Sequence, residues 1–388
     1  MRKLYQGILF ALTTLLVFQF FCSESPEKEN VVSGDFVTSD GAMFRNSLTR
    51  TGIYDTAPIR DSVEVKWTIH MDDHVMGRAV VYGSSIFFGD KRGRLWSVDI
   101  STGQENWHVN TGGNVVGGPA IVDNTIFIGS VGKRFYALDA ETGEVKWQKF
   151  MNGIIGSSPA VLDGTVYFGC YDDYVYALDA STGDEKWKFK TNFNVGSSPA
   201  ISNGTLYIGS SDSSFYALDR KTGTLKWQFK TGSWVGSTPA VVGDMVYFGS
   251  DDSTFYALHT ETGDTAWTYT TDGRIPSSPA VLDSMVFFGS MDNHLYALNR
   301  ISGELIWEFE AHDDVNTPSI AGDVIYFGSK DAYIYAVDIE TGTELWKHLT
   351  GDPIVIPPVI HDGVVYIGST DGMMYALQAA VTHQMAAK

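Results

Sequence analysis

Short apolar segments separated by polar turns run along most of the chain. In one representative stretch, residues 157–162, 165–169 and 174–178 are three such segments. The first two are joined by Asp163-Gly164, a pair typical of a two-residue β-hairpin turn. The pattern predicts three adjacent antiparallel strands that are apolar on both faces, as expected where neighbouring sheets enclose them.

A fourth segment of the same stretch has a different pattern. Trp187 and Phe189 alternate there with Lys186, Lys188 and Lys190. Lysines that alternate along a strand protect an exposed sheet edge from pairing with other chains. The four segments therefore predict a four-stranded antiparallel sheet with a buried inner end and a charged outer edge, which is the form of a β-propeller blade.

Tryptophan marks each copy of this unit, and its spacing is 40 residues throughout, apart from one final interval of 39. A fixed period in this range is the signature of a repeat architecture. Residues that recur once per blade belong to the contact between blades, so we expect structural docking residues and not a cofactor site. They are Trp67, Trp107, Trp147, Trp187, Trp227, Trp267, Trp307 and Trp346.

The two ends of the repeat array complement each other. Residues 64–69 form a tryptophan-bearing strand with no Tyr-Ala-Leu-Asp segment before it, whereas residues 375–378 form such a segment with no tryptophan after it. We expect the N-terminal strand to complete the last blade. The prediction is an all-β fold, an eight-bladed β-propeller of four-stranded antiparallel blades closed into a ring.

The pattern Ala137-x-Asp139-x-x-Thr142-Gly143-x-x-x-Trp147 recurs with small changes from unit to unit. It resembles the tryptophan-docking motif of the PQQ-repeat (quinoprotein-like) β-propellers. The segment Met43–Gly52 resembles the leader that often precedes such propellers, and the resemblance covers about residues 42–378.

This resemblance implies two functional alternatives. One branch of the family contains alcohol and sugar dehydrogenases, which use PQQ and Ca²⁺, are longer, and usually carry adjacent cysteines. The other is non-catalytic and includes an eight-bladed lipoprotein of the outer-membrane β-barrel assembly machinery. This chain resembles the second branch in length, blade number and N-terminal signal, and its two cysteines, Cys22 and Cys170, are far apart. We therefore expect a protein-interaction scaffold without cofactor, metal or catalytic residues. The alternative is a PQQ/Ca-dependent oxidoreductase or a PQQ-binding protein.

The N-terminus has the features of an export signal. Arg2 and Lys3 precede an apolar run over residues 8–21, which suits the hydrophobic region of a secretory signal. Cys22 follows directly, as in a bacterial lipoprotein signal, so we expect its lipidation. An ordinary secretory signal remains the alternative, because Phe20 and Phe21 stand where lipoprotein signals prefer small residues.

These features divide the chain into a signal peptide (1–22), a tether and leader (23–57), the propeller (58–380) and a C-terminal tail (381–388). We expect a monomeric periplasmic protein, attached to the outer membrane by Cys22, with protein partners in the cell envelope. Composition adds one exclusion: 27 basic and 46 acidic residues give a net charge of −19. Such a surface repels phosphate backbones, which argues against nucleic-acid binding.

Two groups of residues invite chemical interpretations that we consider weak. Cys170 occupies a position where other units have serine, and nothing adjacent marks it as a nucleophile. Aspartates that follow Gly-Ser recur once per blade at strand turns, where turn capping is expected instead of metal binding. They are Asp212, Asp252, Asp292, Asp331 and Asp371.

One position varies from unit to unit, just before a segment that enters the inner strand and usually ends Gly-Ser-Ser-Pro or a close variant. Positions that the fold requires should repeat, so this variable position is free to bind a partner. Trp234 and Arg274, which fall in adjacent blades, are residue types enriched in binding hot spots. Pairing of a partner strand with an outer blade edge is the alternative. The predicted partner-binding ring is His74, Asn114, Asn194, Trp234, Arg274 and Asp314, with Ile154 and Ile354 at the corresponding positions of the other two units.

Overall fold

The computed structural model describes residues 41–381, and all of its regular structure apart from one short turn is β-strand. The signal peptide, Cys22, most of the tether and residues 382–388 lie outside the described residues. The N-terminal part comprises β1 (Gly41–Met43), a 3₁₀ turn (Phe44–Asn46), β2 (Ile53–Tyr54) and β3 (Val63–His70).

The remaining strands follow in chain order as successive blades. Blade 1 contains β4 (Val80–Tyr82), β5 (Ser85–Gly89), β6 (Arg94–Asp99) and β7 (Glu105–Asn110). Blade 2 contains β8 (Ala120–Val122), β9 (Thr125–Gly129), β10 (Arg134–Asp139) and β11 (Val145–Phe150). Blade 3 contains β12 (Ala160–Leu162), β13 (Thr165–Cys170), β14 (Tyr174–Asp179) and β15 (Glu185–Lys190). Blade 4 contains β16 (Ala200–Ser202), β17 (Thr205–Ser210), β18 (Ser214–Asp219) and β19 (Leu225–Lys230).

The second half of the ring repeats this arrangement. Blade 5 contains β20 (Ala240–Val242), β21 (Met245–Gly249), β22 (Thr254–His259) and β23 (Thr265–Thr270). Blade 6 contains β24 (Ala280–Leu282), β25 (Met285–Gly289), β26 (His294–Asn299) and β27 (Leu305–Glu310). Blade 7 contains β28 (Ser319–Ala321), β29 (Val324–Gly328), β30 (Tyr333–Asp338) and β31 (Glu344–Leu349). Blade 8 contains β32 (Val359–His361), β33 (Val364–Gly368) and β34 (Met373–Ala379).

Blade 8 obtains its fourth, outermost strand from the N-terminal part of the chain. β3 pairs antiparallel with β34, with Trp67 opposite Ala376, and the sheet order is β3-β34-β33-β32. The short inner strands of neighbouring blades contact one another, including β32 with β4 across the junction of the two chain ends. The predicted eight-bladed propeller and its closure by the N-terminal strand are therefore confirmed.

Each docking tryptophan joins its blade to the next one. Trp187 Nε1, for example, donates a hydrogen bond to the Arg220 carbonyl oxygen at 3.0 Å. Its ring packs against Gly223, where an added Cβ would lie 2.6 Å from ring atoms. Gly223 also has φ +72°, so both the contact and the backbone conformation require glycine there. The Thr-Gly part of the repeat is thus a turn shaped to receive the tryptophan of the preceding blade.

The leader, which we define as residues 41–57, lies inside the ring and not beside it. β1 pairs antiparallel with β8 of blade 2, and β2 pairs parallel with β28 of blade 7. Between them, the carbonyl oxygens of Leu48, Thr49 and Thr51 accept hydrogen bonds from the inner strands of blades 4, 5 and 6 at 2.8–3.0 Å. A segment that touches the inner strands of five blades must occupy the central channel.

Candidate functional site: the upper face and the channel

The variable positions lie together on one end of the propeller, which we call the upper face. It carries the segments that enter the inner strands and the turns between the second and third strands of each blade. The carbonyl oxygen of Trp234 accepts a hydrogen bond from Asp251 N, and that of Arg274 accepts one from Met291 N, both at 2.9 Å. The same bond is made at the remaining four ring residues, His74, Asn114, Asn194 and Asp314. The six residues therefore occupy equivalent places, one per blade, around the channel mouth.

The alignment of the ring with blade 8 needs correction. Ile354 is fully buried, and its side chain packs against Gly328, as Val235 packs against Gly209 three blades earlier. Pro353 accepts the hydrogen bond from Thr370 N that defines the variable position. Because the interval between the last two tryptophans is 39 residues, the sequence alignment was wrong by one position in this blade.

Trp234 and Arg274 are neighbours on the assembled surface. The Trp234 side chain is exposed, with 53% of the residue accessible. Arg274 Nη1 lies 4.0 Å from Asp251 Oδ2, on the turn beside Trp234. Partial burial raises the pKa of Asp251, while Arg274 acts in the opposite direction. Asp251 thus links the two predicted hot-spot residues across the boundary between blades 5 and 6.

Three further exposed apolar residues lie on the same face in blades 3, 4 and 6, and the sequence interpretation missed them. Phe193 is 47% exposed in blade 4, and Tyr171 and Met291 are exposed in blades 3 and 6. With Trp234 they form what we call the apolar arc, which spans blades 3 to 6 of the upper face. Exposed aromatic residues of this kind mark interaction surfaces more often than scattered aliphatic ones do. The signal was present in the sequence, because glycine, serine or aspartate stands in the other units where Phe193 stands here.

The opposite side of the upper face, over blades 7, 8 and 1, carries charged residues that are paired with one another. Lys330 Nζ lies 2.6 Å from Asp314 Oδ2. Arg92 lies within 3.8 Å of both Asp72 and Asp73. The upper face is therefore asymmetric, with the apolar arc on one side and exposed ion pairs on the other.

The aspartates at the strand turns are engaged in structural contacts. Asp252 Oδ2 accepts hydrogen bonds from the Tyr256 hydroxyl at 2.8 Å and from Gly232 N at 2.6 Å, and Oδ1 accepts one from Thr254 N. The corresponding tyrosine hydroxyl donates to the aspartate in five further blades. These carboxylates hold a turn, a tyrosine and the neighbouring blade in place, as the capping interpretation expects.

Cys170 is buried and takes the place of the serines in other blades. Its Sγ lies 3.6 Å from the Ile154 carbonyl oxygen. The equivalent Ser210 hydroxyl donates to the carbonyl oxygens of Phe193 and Asn194. Burial raises the pKa of the Cys170 thiol to about 12, so it is protonated at neutral pH and is no nucleophile.

Two leader arginines fill the centre of the channel. Arg45 and Arg50 are almost completely buried, and their guanidinium groups lie at the upper ends of the inner strands. Every described hydrogen bond from these side chains ends on a backbone carbonyl oxygen. The acceptors are Arg50, Pro279 and Pro318 for Arg45, and Phe44, Pro159 and Pro199 for Arg50.

The channel does not fit the PQQ–Ca²⁺ pair of the catalytic branch. Ca²⁺ requires several oxygen ligands, usually including carboxylates. Residues 41–381 contain no group of three or more His, Cys, Asp or Glu side chains placed to hold a metal. The charged groups that the leader brings into the channel are guanidinium cations instead. No step of quinone chemistry follows from this arrangement.

Hydroxyl groups connect neighbouring blades around the channel. Ser158 Oγ accepts a hydrogen bond from Gly118 N at 2.8 Å, and Ser198 Oγ accepts one from Ser158 N at 2.9 Å. Ser278 and Thr317 continue the series in blades 6 and 7. We call these four side chains the hydroxyl belt. Blades 8, 1 and 2 interrupt it, since Pro357, Arg78 and Gly118 occupy the same position there.

Within the part of the chain that the structure describes, no helix has the length and apolar character needed to cross a bilayer.

The repeat, the docking tryptophans and the ring closure define an eight-bladed β-propeller built from PQQ-like repeats. A family model described as outer membrane protein assembly factor BamB matches residues 60–172, 147–233, 172–316 and 231–384. These matches extend over most of the chain, which therefore belongs to this family. A search of curated proteins finds no match.

Solved structures with the same fold differ widely in function. BamB from Moraxella catarrhalis superposes with a TM-score of 0.72 at 21% identity, covering 82% of this chain and 100% of that one. Quinohemoprotein alcohol dehydrogenase from Comamonas testosteroni gives 0.75 at 15% identity, covering 92% and 85%. The computationally designed protein Ika8 gives 0.72 at 17% identity, covering 82% and 99%. At such identities the likeness concerns the fold alone, so function must be argued from the upper face and the channel.

Proposed function

We propose that this chain is a non-catalytic protein-interaction scaffold of the cell envelope that assists the assembly of outer-membrane β-barrel proteins. The apolar arc beside Arg274 is the observation that carries the proposal, because fold positions repeat from blade to blade and these residues do not. The description of the matching family, outer membrane protein assembly factor, supports the choice of partner class.

The apolar arc has the composition of a binding site. Hot spots are rich in tryptophan, tyrosine and arginine, and they lie in patches whose rims exclude water. Trp234 and Tyr171 supply aromatic area at a small conformational-entropy cost, and Arg274 adds donors at the edge. The partner therefore contacts blades 3 to 6 of the upper face, and the ring residues His74, Asn114, Asn194 and Asp314 lie around this contact.

Substitution of the arc tests this proposal against strand pairing at an outer blade edge. We expect Trp234→Ala and Phe193→Ala each to weaken binding to an outer-membrane assembly subunit at least tenfold, with an unchanged melting temperature. Phe150→Ala is the matched control, because Phe150 is 67% exposed on the outer strand β11. Unchanged binding by both arc variants, with loss in Phe150→Ala, would assign the contact to the blade edge.

The cellular localisation of the protein is a second part of the proposal. The apolar run before Cys22 and the polar stretch after it support export, lipidation of Cys22 and attachment to the outer membrane from the periplasmic side. The Cys22→Ser variant should be exported but recovered in the soluble periplasmic fraction as a monomer. Membrane attachment of this variant equal to that of the unaltered chain would contradict lipidation.

The oxidoreductase alternative has a direct test of its own. Titration of the purified propeller with PQQ and Ca²⁺, followed by dye reduction with alcohols and sugars, should give no turnover. Quinone-dependent turnover would overturn the non-catalytic proposal.

A further inference from the structure

A third arginine lies at the upper end of the channel, where the hydroxyl belt is interrupted. Arg78 occupies the belt position in blade 1, and its backbone N bonds to Val116 O instead of a neighbouring hydroxyl. Its guanidinium carbon lies 4.8 Å from the centroid of the Phe44 ring, on top of the leader. The guanidinium carbon of Arg50 lies 5.7 Å from the centroid of the same ring. The arginines of blade 1 and of the leader thus meet around one aromatic side chain.

Arg78 differs from the leader arginines in its hydrogen bonding. Arg45 and Arg50 donate to backbone carbonyl oxygens, whereas the Arg78 side chain donates no hydrogen bond within residues 41–381. Its Nη1 is buried and without a partner. A buried guanidinium nitrogen without an acceptor costs free energy, and the great majority of buried polar groups are paired. Arg78 is therefore a charged group of the channel that still requires an acceptor.

The positive charge of this cluster is not compensated. Residues 41–381 contain no ion pair that involves Arg45, Arg50 or Arg78. Burial lowers the pKa of Arg45 and Arg78 to about 10 and that of Arg50 to about 9, and mutual repulsion contributes for the two leader arginines. Backbone carbonyl oxygens solvate such cations but do not neutralise them. An anion is the complement that this arrangement lacks, although the chain as a whole carries a charge of −19.

The channel mouth is open at blades 3 and 5. Gly156 and Gly236 stand there just before the inner strands. A Cβ added at Gly236 would meet no atom within 4 Å, and one at Gly156 would meet only the Tyr171 ring at 4.0 Å. Tyr171 lies close enough to Arg78 for the two side chains to interact electrostatically. Arg78 itself is only partly buried, so a small ligand entering from the upper face can reach its guanidinium.

We propose that the upper channel is a binding site for a small oxyanion, a carboxylate or a phosphate, held by a charge-assisted hydrogen bond from Arg78. Guanidinium donors match the geometry of both groups, and such bonds are about twice as strong as neutral ones. The positive field of Arg45 and Arg50 adds attraction without direct contact. This site goes beyond the scaffold function, because its anion-binding group, Arg78, lies in the channel and is not part of the apolar arc; Tyr171 is the one arc residue that adjoins it.

Isothermal titration at low ionic strength tests the site, with sodium phosphate and sodium succinate as probes and sodium chloride at matched ionic strength. We expect saturable binding of at least one oxyanion, at least tenfold weaker in Arg78→Gln. The oxyanion that binds more tightly identifies whether phosphate or carboxylate is the natural chemistry. Arg92→Gln is the matched control, because Arg92 is an exposed arginine of the same face. It should bind like the unaltered chain.

Absence of oxyanion binding, or equal binding by Arg78→Gln, would overturn the proposal. A second measurement does not depend on affinity in solution. In crystals grown with selenate, the anomalous signal should lie within hydrogen-bond distance of Arg78 and should vanish in Arg78→Gln. A signal only at surface lysines would likewise overturn the site.

Discussion

Trp346 Nε1 donates a hydrogen bond to the Ile59 carbonyl oxygen at 2.8 Å, although the two residues lie at opposite ends of the chain. In the other blades the tryptophan docks on the turn of the next blade, as Trp187 does on the turn that contains Gly223. Blade 8 has no such turn, because its outer strand comes from the N-terminus. Ile59, in the segment between the leader and β3, supplies the missing acceptor, so the ring closes by the same contact that repeats around it.

Removal of this indole donor should weaken the ring closure. We expect Trp346→Phe to lower the free energy of unfolding by about 1–2 kcal/mol, since it leaves the buried Ile59 carbonyl oxygen with only the longer bond of 3.4 Å from the Tyr326 hydroxyl. Trp107→Phe is the matched control, because Trp107 Nε1 is buried and has no hydrogen-bond partner among the described residues. Urea denaturation followed by circular dichroism measures both. Equal losses of unfolding free energy in the two variants would show that the packing of the indole ring, and not its hydrogen bond, decides the contribution of each tryptophan.

The hydroxyl belt allows a similar comparison within the channel. Ser198→Ala removes the acceptor of Ser158 N and should cost about 1–2 kcal/mol. Thr238 Oγ1 is buried without a partner, so Thr238→Val should leave stability unchanged or raise it. Differential scanning calorimetry of the two variants tests this contrast. A destabilised Thr238→Val together with an unaffected Ser198→Ala would contradict the assignment of the belt.

The leader should be essential to the propeller. Arg50→Met removes hydrogen bonds to carbonyl oxygens of blades 3 and 4 and of the leader itself. We expect a loss of at least about 3 kcal/mol, since bonds from charged donors contribute about 1.5–3 kcal/mol each. Arg134→Met, which removes an arginine stacked on exposed Phe150 at 4.3 Å, should cost under about 1 kcal/mol. Similar melting temperatures for the two variants would mean that the leader does not stabilise the ring.

One turn carboxylate should contribute a pH-dependent part of the stability. Hydrogen bonds from the Ser181 hydroxyl, followed by the effect of Lys186, lower the pKa of Asp179 to about 2. Because this folded-state value lies below the unfolded value of about 3.9, the stabilisation is complete above pH 4 and is lost as the pH falls towards 2. The site is largely solvated, so Asp179→Asn should cost only a few tenths of a kcal/mol at pH 7.

Another blade shows that asparagine is compatible with this turn, so Asp179→Asn should change the charge alone. Asn299 occupies the same turn position in blade 6, and its Oδ1 accepts bonds from Ile301 N and Ser302 N. Asparagine therefore preserves the turn and removes only the charge. Melting curves at a series of pH values should converge with those of the unaltered chain at pH 2. A constant difference at all pH values would exclude the charge as its source.

The propeller fold could be predicted because the same 40-residue sequence pattern recurs in every blade. The Trp67 strand and the segment that ends at Gln378 are complementary, and their pairing in blade 8 follows from the period alone. The leader could not be placed in this way. Arg45 and Arg50 occur once, and their acceptors outside the leader are proline carbonyl oxygens of four different blades, which carry no side-chain signal.

The candidate site could be predicted only in part, because comparison of the repeat units reveals only residues that lie within the repeats. Comparison of the units found Trp234 and Arg274, and the same comparison one position earlier would have found Phe193. It misplaced Ile354, because a one-residue shift in spacing exchanges an exposed position for a buried one. That Arg78 meets Phe44 in the channel depends on the path of the leader, and repeat alignment contains no information about that path.

Site-specific photo-cross-linking in intact cells tests the central claim most directly. A photoreactive residue at position 234 should capture an outer-membrane assembly subunit or a nascent outer-membrane protein, identified by mass spectrometry, whereas the same residue at position 150 should not. Absence of any protein adduct at position 234 in correctly exported protein, or the same adducts at both positions, would contradict the assignment of the apolar arc as the binding surface.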